Sequence, residues 1–400
     1  MEEIILPNNG INLERMILWG NDIQTIQFTN SYPSLTRLEL YANPNYTSID
    51  LSIFPSLEEL LINNTGISAI DLGNNGNLKT LNVSETTVST LDLNDIPNLE
   101  DLYIADCGIS TLNIASLTLK RLGIGENITS INLDSQPQLE YLSSKGLGMP
   151  SLDLSSNTGL KELSLNSYPL STIDLSNNVN LEEITSLGTD AGGLTSLDFS
   201  NNTQLTEIYI NEIFLQDIDI TNCAVLEKAT FRGVQSLQEI DFSGNTALSE
   251  LEFAGIRYVG QPNTVLSEID LSSNAQLVSA SIEGFDGLDN LVLNGANSLE
   301  SLRLWDLSLL TLNFNAPTIR ELLISGVSLE TIDITPLSNL EYFSLRYLPT
   351  TSVIYPTSNN IKAVTFFGTN FQELDFSNFN LCRVRLWENL QLEKLILTGI

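Results

Sequence analysis

Apolar residues recur along this chain in two alternating frames. In residues 57–77 (LEELLINNTGISAIDLGNNGN) the first half reads L-x-x-L-x-L-x-x-T/N/C-x-L/I, with Leu57, Leu60, Ile62, Thr65 and Ile67 at its fixed positions. The second half reads I-x-x-I-D-L-S-x-N, carried by Ile67, Ile70, Asp71, Leu72 and Asn75. Residues 78–98 and 160–180 repeat the pattern. The L-x-L alternation has the period of a strand, and neither half is long enough for a full helix. Each repeat is therefore predicted to be two short strands joined by tight turns rich in Asn, Pro and Gly. Asn157, Asn178, Asn202, Asn245 and Asn274 suit such turns, because an amide side chain can satisfy backbone groups there. The fixed leucines and isoleucines point inward and stack from one repeat to the next.

The period is about 21 residues. A fixed short period overrides the usual division of a long chain into several domains, since each repeat buries its apolar side against its neighbours. Residues 1–34 are read as an N-terminal cap and a degenerate first coil, and residues 35–400 as an array of about 17 coils running from Leu35. Two coils are longer: the one from Leu181 carries LGTDAGG and the one from Leu248 carries RYVGQPNTV, insertions that belong on surface loops. The last residues are still in repeat, so the array is expected to be uncapped at its C-terminal end. A bare final coil exposes apolar surface. The expectation is that the native protein continues past Ile400 or that this end packs on something else.

With these frames in place, the chain resembles the leucine-rich repeat superfamily, and within it the bacterial internalin-type subclass with 21-residue repeats. Residues 170–184 (LSTIDLSNNVNLEEI) and 194–210 (LTSLDFSNNTQLTEIYI) carry the likeness most clearly. The resemblance covers roughly residues 35–400. It departs from that pattern where the first-half Asn is replaced, as by Thr65, Thr86 and Cys107, so a continuous first-half asparagine ladder is not expected. The resemblance implies a leucine-rich-repeat right-handed solenoid, with strand-dominated coils, a parallel sheet on the inner face and little helix. It also implies protein or glycan binding, often at a bacterial surface.

Composition narrows the function. The chain has 49 acidic and 17 basic residues, no histidine and a net charge of −32. Nucleic acid is a poor partner for it, because phosphate binding needs clustered Lys and Arg. Anionic membranes are disfavoured for the same reason, and no apolar run is long enough for membrane insertion. Cys107, Cys223 and Cys382 lie several coils apart. At about 4.8 Å per coil that is roughly 25 Å or more, too far for disulfides, so all three are read as reduced and mostly buried. The acidic start Met1-Glu2-Glu3 has no signal-peptide character, which leaves a cytosolic protein or a chain trimmed to its repeats.

Two polar patterns remain. The first is a second-half aspartate ladder: Asp50, Asp71, Asp92, Asp153, Asp174, Asp198, Asp219, Asp241, Asp270, Asp333 and Asp375. Its structural reading is an acceptor for turn amides; the alternative is calcium held between rungs. The second is a change of character on the first-half strands of the last five coils. There the outward residues become Arg303, Trp305, Tyr342, Arg346, Phe367, Arg383, Arg385 and Trp387. Exposed Trp, Tyr and Arg on one sheet have the composition of a binding hot spot, with cation–π contacts as an added gain. The bland reading is that they cover the end of the array.

Catalysis finds no support. Without histidine there is no His-based acid–base or triad chemistry, and there is neither a phosphate-binding Gly loop nor a C-x-x-C spacing, so no cofactor or metal is expected. The sequence thus predicts a non-enzymatic protein- or glycan-binding module, extracellular or at the bacterial cell surface and adhesin-like, that uses its inner sheet. The alternative is a rigid acidic spacer presenting flanking domains.

Overall fold

The computed structural model describes residues 3–6, 12–28, 30–115, 117–146, 149–166, 170–188, 193–211, 215–234, 236–255, 265–314, 316–358 and 360–397. Residues 189–192 and 256–264, which hold most of the two expected insertions, lie outside them. The chain divides into two compact units, Met1–Leu181 with Thr185–Gly192, and Glu182–Ile184 with Gly193–Ile400. Both are parallel β-solenoid, about 17 turns in the chain as a whole. Among the described residues the helical element is a single 3-10 turn, Leu51–Ile53.

In the first unit the strands Arg37–Glu39, Glu59–Leu61, Thr80–Asn82, Asp101–Tyr103, Arg121–Gly125, Tyr141–Lys145 and Glu162–Asn166 pair in parallel, each with the next coil. The register sets like position beside like: Leu38, Leu60, Leu81, Leu102, Leu122, Leu142 and Leu163 form one buried row. The second unit repeats this from Glu207–Asn211 through Lys228–Arg232, Glu250–Ala254, Ser279–Phe285, Ser301–Leu307, Glu321–Ser325, Tyr342–Arg346 and Ala363–Phe367 to Arg383–Trp387. One-residue alternation sends every second side chain inward. At Ser301–Leu307, Leu302 and Leu304 are buried while Arg303 is exposed. Phenylalanines fill the wider gaps. Phe253 stacks on Phe285, with centroids 4.9 Å apart, and meets Phe231 and Phe242 edge-on.

The second halves depart from the two-strand expectation. A second strand forms only in some coils, as the pairs Glu3–Ile5 with Thr25–Gln27, Ser196–Asp198 with Asp217–Asp219, Glu268–Asp270 with Asn290–Val292, Thr331–Asp333 with Ser352–Ile354, and Glu373–Asp375 with Lys394–Ile396. With or without a second strand, side chains cap the turn that follows. Every aspartate of the ladder accepts, at Oδ1, the amide N–H two residues on, at 2.7–3.1 Å. Asn113 and Asn132 do the same. The hydroxyl and amide of Ser52, Ser155, Ser176, Ser243, Thr335 and Ser377 hold their aspartate partners below the usual carboxylate range. The row is a stack of Asx turns.

A second row lies buried behind it. Asn75, Asn157, Asn178, Asn245 and Asn274 each donate Nδ2 to two carbonyls of the preceding coil, for example Asn245 to Ile220 O at 2.8 Å and Cys223 O at 3.0 Å. Gln136 takes the same role, reaching Ile114 O and Leu117 O. Cys223 approaches Phe199 O and Asn202 O at 3.6 and 3.7 Å, and burial pushes its thiol up to about 12. In the first halves, Thr65, Thr86 and Cys107 bond a carbonyl of their own coil. There the asparagine ladder is interrupted.

Two further rows organise the strand side. A residue at or within three positions of the strand's end adopts a left-handed conformation in many coils: Ala42, Asn64, Glu85, Asp106, Asp306, Tyr347 and Glu388, and glycine at Gly146, Gly284, Gly326 and Gly368. An L-residue pays roughly 1–2 kcal/mol there, against about 0.4–1 kcal/mol for the extra freedom glycine brings to the unfolded chain. Glu85→Gly, at φ 56°, is therefore expected to stabilise by about 0.5–1 kcal/mol. Gly284→Ala should destabilise, since its Cβ would meet Gly255 O at 2.9 Å. Urea midpoints of the two variants check the opposite signs.

The other row precedes the strands and alternates in charge: Glu58, Lys79, Glu100, Lys120, Glu140 and Lys161. It forms ion pairs Lys79–Glu58 at 2.7 Å, Lys120–Glu100 at 2.8 Å and Lys161–Glu140 at 3.4 Å. Glu300, Arg320, Glu341 and Lys362 continue the pattern in the second unit. These pairs are largely exposed, and solvent screens their contribution to stability.

Candidate functional site

The eight singled-out residues all lie on the strand face of the second unit, and the register sorts them into three rows. Trp305, Ser325, Arg346, Phe367 and Trp387 align across five successive strands. Arg303, Leu323, Ser344, Thr365 and Arg385 form the next row. Ser301, Glu321, Tyr342, Ala363 and Arg383 form the third.

The backbone fixes the first row firmly. Ser325, Arg346, Phe367 and Trp387 each end a strand, and a left-handed residue follows every member of the row, Asp306 after Trp305 included. Gly326 N–H donates to Arg346 O, Tyr347 N–H to Phe367 O and Gly368 N–H to Trp387 O, at 2.8–3.0 Å. The site row is thus bonded coil to coil; Trp387 is exposed, Trp305, Arg346 and Phe367 are half-buried, and Ser325 is buried. Phe367 meets Tyr347 at 4.6 Å between centroids and Trp387 at 6.4 Å, both edge-on. Trp387 and Tyr342 are 52% and 48% exposed, large values for aromatic rings on a sheet.

Two grooves cross these rows. Arg346, Phe367, Trp387 and Glu388 line a shallow one of about 500 Å³. Tyr342, Ser344, Arg346, Thr365 and Arg383 line much of a second, of about 300 Å³. Arg346 belongs to both.

Electrostatics separate the arginines. Arg303 faces Glu321 at 3.6 Å, so its charge is answered. Among the described residues no carboxylate lies within ion-pair distance of Arg346, Arg383 or Arg385. In a chain of net charge −32 this is a local reversal. The cation–π contact expected here forms elsewhere: Arg232 sits over the Tyr209 ring at 5.7 Å. Sequence reasoning also missed Trp19 and Tyr41 in the first unit, which stack at 5.5 Å with nearly parallel rings. Each stands immediately before a left-handed position, Gly20 or Ala42, as Trp387 stands before Glu388. An aromatic residue just ahead of that recurring position is the signal that would have found them.

Other candidates resolve differently. Cys107 and Cys223 are buried, whereas Cys382 is exposed, against the expectation for all three. Its position is the one that precedes the strand, which faces solvent in every coil. Among the described residues no three His, Cys, Asp or Glu side chains are grouped to hold a metal ion, and no helix is long and apolar enough to cross a membrane. The aspartate ladder has one oxygen of each carboxylate engaged in its own turn. Leu390, Leu395 and Leu397 near the end of the array are exposed.

No protein-family model matches the chain, and no curated protein does. Solved structures do. The functional domain of InlJ from Listeria monocytogenes is 22% identical with a TM-score of 0.62, over 80% of this chain and 64% of that one, so the chain spans less than two thirds of its length. An internalin, InlF, also from Listeria monocytogenes, is 19% identical with a TM-score of 0.50, over 85% of this chain and 86% of that one. The Toll–Spatzle complex of Drosophila gives 16% identity and a TM-score of 0.51, over 85% of this chain and 53% of that one. The 21-residue coils, the parallel ladder and these likenesses together show that this chain has the leucine-rich-repeat fold, in the form that internalins share.

Proposed function

We propose that the protein is a non-enzymatic binding module, adhesin-like and working outside a bacterial cell or at its surface, that captures a protein or glycan on the strand face of its second unit. The observation that carries this reading is the row of Trp305, Arg346, Phe367 and Trp387 on one sheet, with Arg346, Phe367 and Trp387 on adjacent strands and Ser325 standing between Trp305 and Arg346. Rigid aromatic and arginine side chains at fixed spacing give large contact area at low entropic cost. The internalin likeness and the Toll–Spatzle complex support the reading by analogy of fold. The rival is a stiff acidic spacer that binds nothing through this face.

The test is a panel of envelope and host-surface proteins together with a glycan array, probed with the intact chain and with a Trp305→Ala/Trp387→Ala variant. The variant should keep its melting temperature and lose about tenfold or more in affinity. Equal affinity in both removes the patch from the function, and an intact chain that binds nothing favours the spacer.

A further inference from the structure

We infer that the partner is a polypeptide segment carrying an acidic side chain within one or two residues of a bulky apolar one, and that the two adjoining grooves read this pair. The inference rests on the binding reading above and goes on to assign the chemistry of the ligand.

The charge argument comes first. The chain as a whole repels anions, with 49 acidic residues against 17 basic. The other arginines among the described residues of the second unit are answered: Arg232 by Glu252 at 2.8 Å, Arg303 by Glu321, Arg320 by Glu300. Arg346, Arg383 and Arg385 are left unanswered within two coils of one another. An arginine fork without a carboxylate is a ready bidentate receptor for one. Two acidic groups border the grooves, Glu388 in the first and Glu321 in the second, and Glu321 is engaged by Arg303 at 3.6 Å.

The second groove supplies the setting for that carboxylate. Tyr342 and Thr365 place hydroxyl donors beside Arg346 and Arg383, while the hydroxyl of Ser344 is buried. The first groove is different. Phe367 and Trp387 form its walls, with the heads of Arg346 and Glu388 and the indole N–H of Trp387 as its polar groups. The ring walls suit an apolar side chain, which needs no hydrogen-bonding partner. Because Arg346 lines both grooves, the two subsites adjoin. Along the strand direction the rows are two residues apart, about 6.6 Å, which a peptide spans with one or two residues. Ligand charge and ligand ring are thereby fixed relative to each other.

The experiment pans a phage-displayed library of random peptides against the intact chain, then measures the affinity of the enriched peptides by titration. Enriched sequences should carry Asp or Glu within two residues of Trp, Phe, Leu or Met. Their affinity should fall by about tenfold or more in an Arg346→Ala/Arg383→Ala variant of unchanged melting temperature, and should fall with added salt. Trp387→Ala should weaken the same peptides while leaving the salt dependence in place. Enriched peptides that lack the acid, or that ignore the arginine variant yet need Trp387, overturn this inference and leave the binding face standing. A heparin oligosaccharide that binds where no peptide enriches overturns it in favour of an anionic glycan. If neither probe binds, the inference falls together with the binding reading.

Discussion

Phe253→Ala is expected to lower the stability of the second unit by about 3–5 kcal/mol, the largest effect of any single truncation considered for this protein. The ring is fully buried and touches three others: Phe285 face to face at 4.9 Å, Phe231 at 5.7 Å and Phe242 at 6.2 Å. These rings come from four neighbouring places on successive coils, so no one of them can move in without leaving its own contacts. The vacancy stays open, and the cost includes the lost dispersion contacts as well as the lost burial. Phe253→Leu fills most of the volume and should cost about 1–1.5 kcal/mol. Urea unfolding measures both. Hydrogen exchange should place the opening in the coils around residues 226–293, since each coil of a repeat array is supported by its immediate neighbours. A loss below about 1 kcal/mol for Phe253→Ala would mean that the coils collapse onto the gap.

Asn245→Ala is expected to cost about 1–3 kcal/mol. Two buried carbonyls, Ile220 O and Cys223 O, lose the Asn245 amide as a donor and keep one backbone N–H each, from Cys223 and Leu226, so the cost is that of two lost hydrogen bonds and the vacated amide volume. Among the described residues the Oδ1 atoms of Asn75, Asn157, Asn245 and Asn274 meet no donor, so the amide acts here as a donor alone. That makes Asn245→Cys informative. Cys223 already fills the equivalent place with a longer, weaker contact, and the cysteine variant should lose about half as much as the alanine variant. Asn245→Asp should be the worst of the three, because it sets a buried carboxylate against two carbonyl oxygens. Thermal and urea denaturation of the three variants order them; an alanine variant as stable as the parent would show that these carbonyls find other donors.

The repeat was legible because its leucines are fixed by packing: every coil must present the same apolar set to the same neighbours, as Leu38 to Leu163 do. The Asx turns were legible too, since Asp-Leu-Ser puts the acceptor and its amide within three residues. The asparagine ladder was half legible. Residue type placed Asn157 and Asn245 in a turn, but the carbonyls they serve lie on the preceding coil, more than twenty residues away. The left-handed row left little mark on the sequence, because Ala42, Glu85 and Tyr347 stand where glycine would have announced it. At the candidate site, composition found the residues and missed their arrangement. Only the register shows that Trp305, Arg346, Phe367 and Trp387 form one row, and only the ion pairs show that Arg303 is neutralised while Arg346, Arg383 and Arg385 are not.

The alternation of Glu58, Lys79, Glu100, Lys120, Glu140 and Lys161 gives the array a parity. Copying or deleting one coil would set Glu beside Glu or Lys beside Lys and turn an attraction into a repulsion. Copying two coils keeps every neighbour opposite in sign. Growth and recombination of such a gene are therefore favoured in steps of a coil pair, even though the packing itself repeats with every coil.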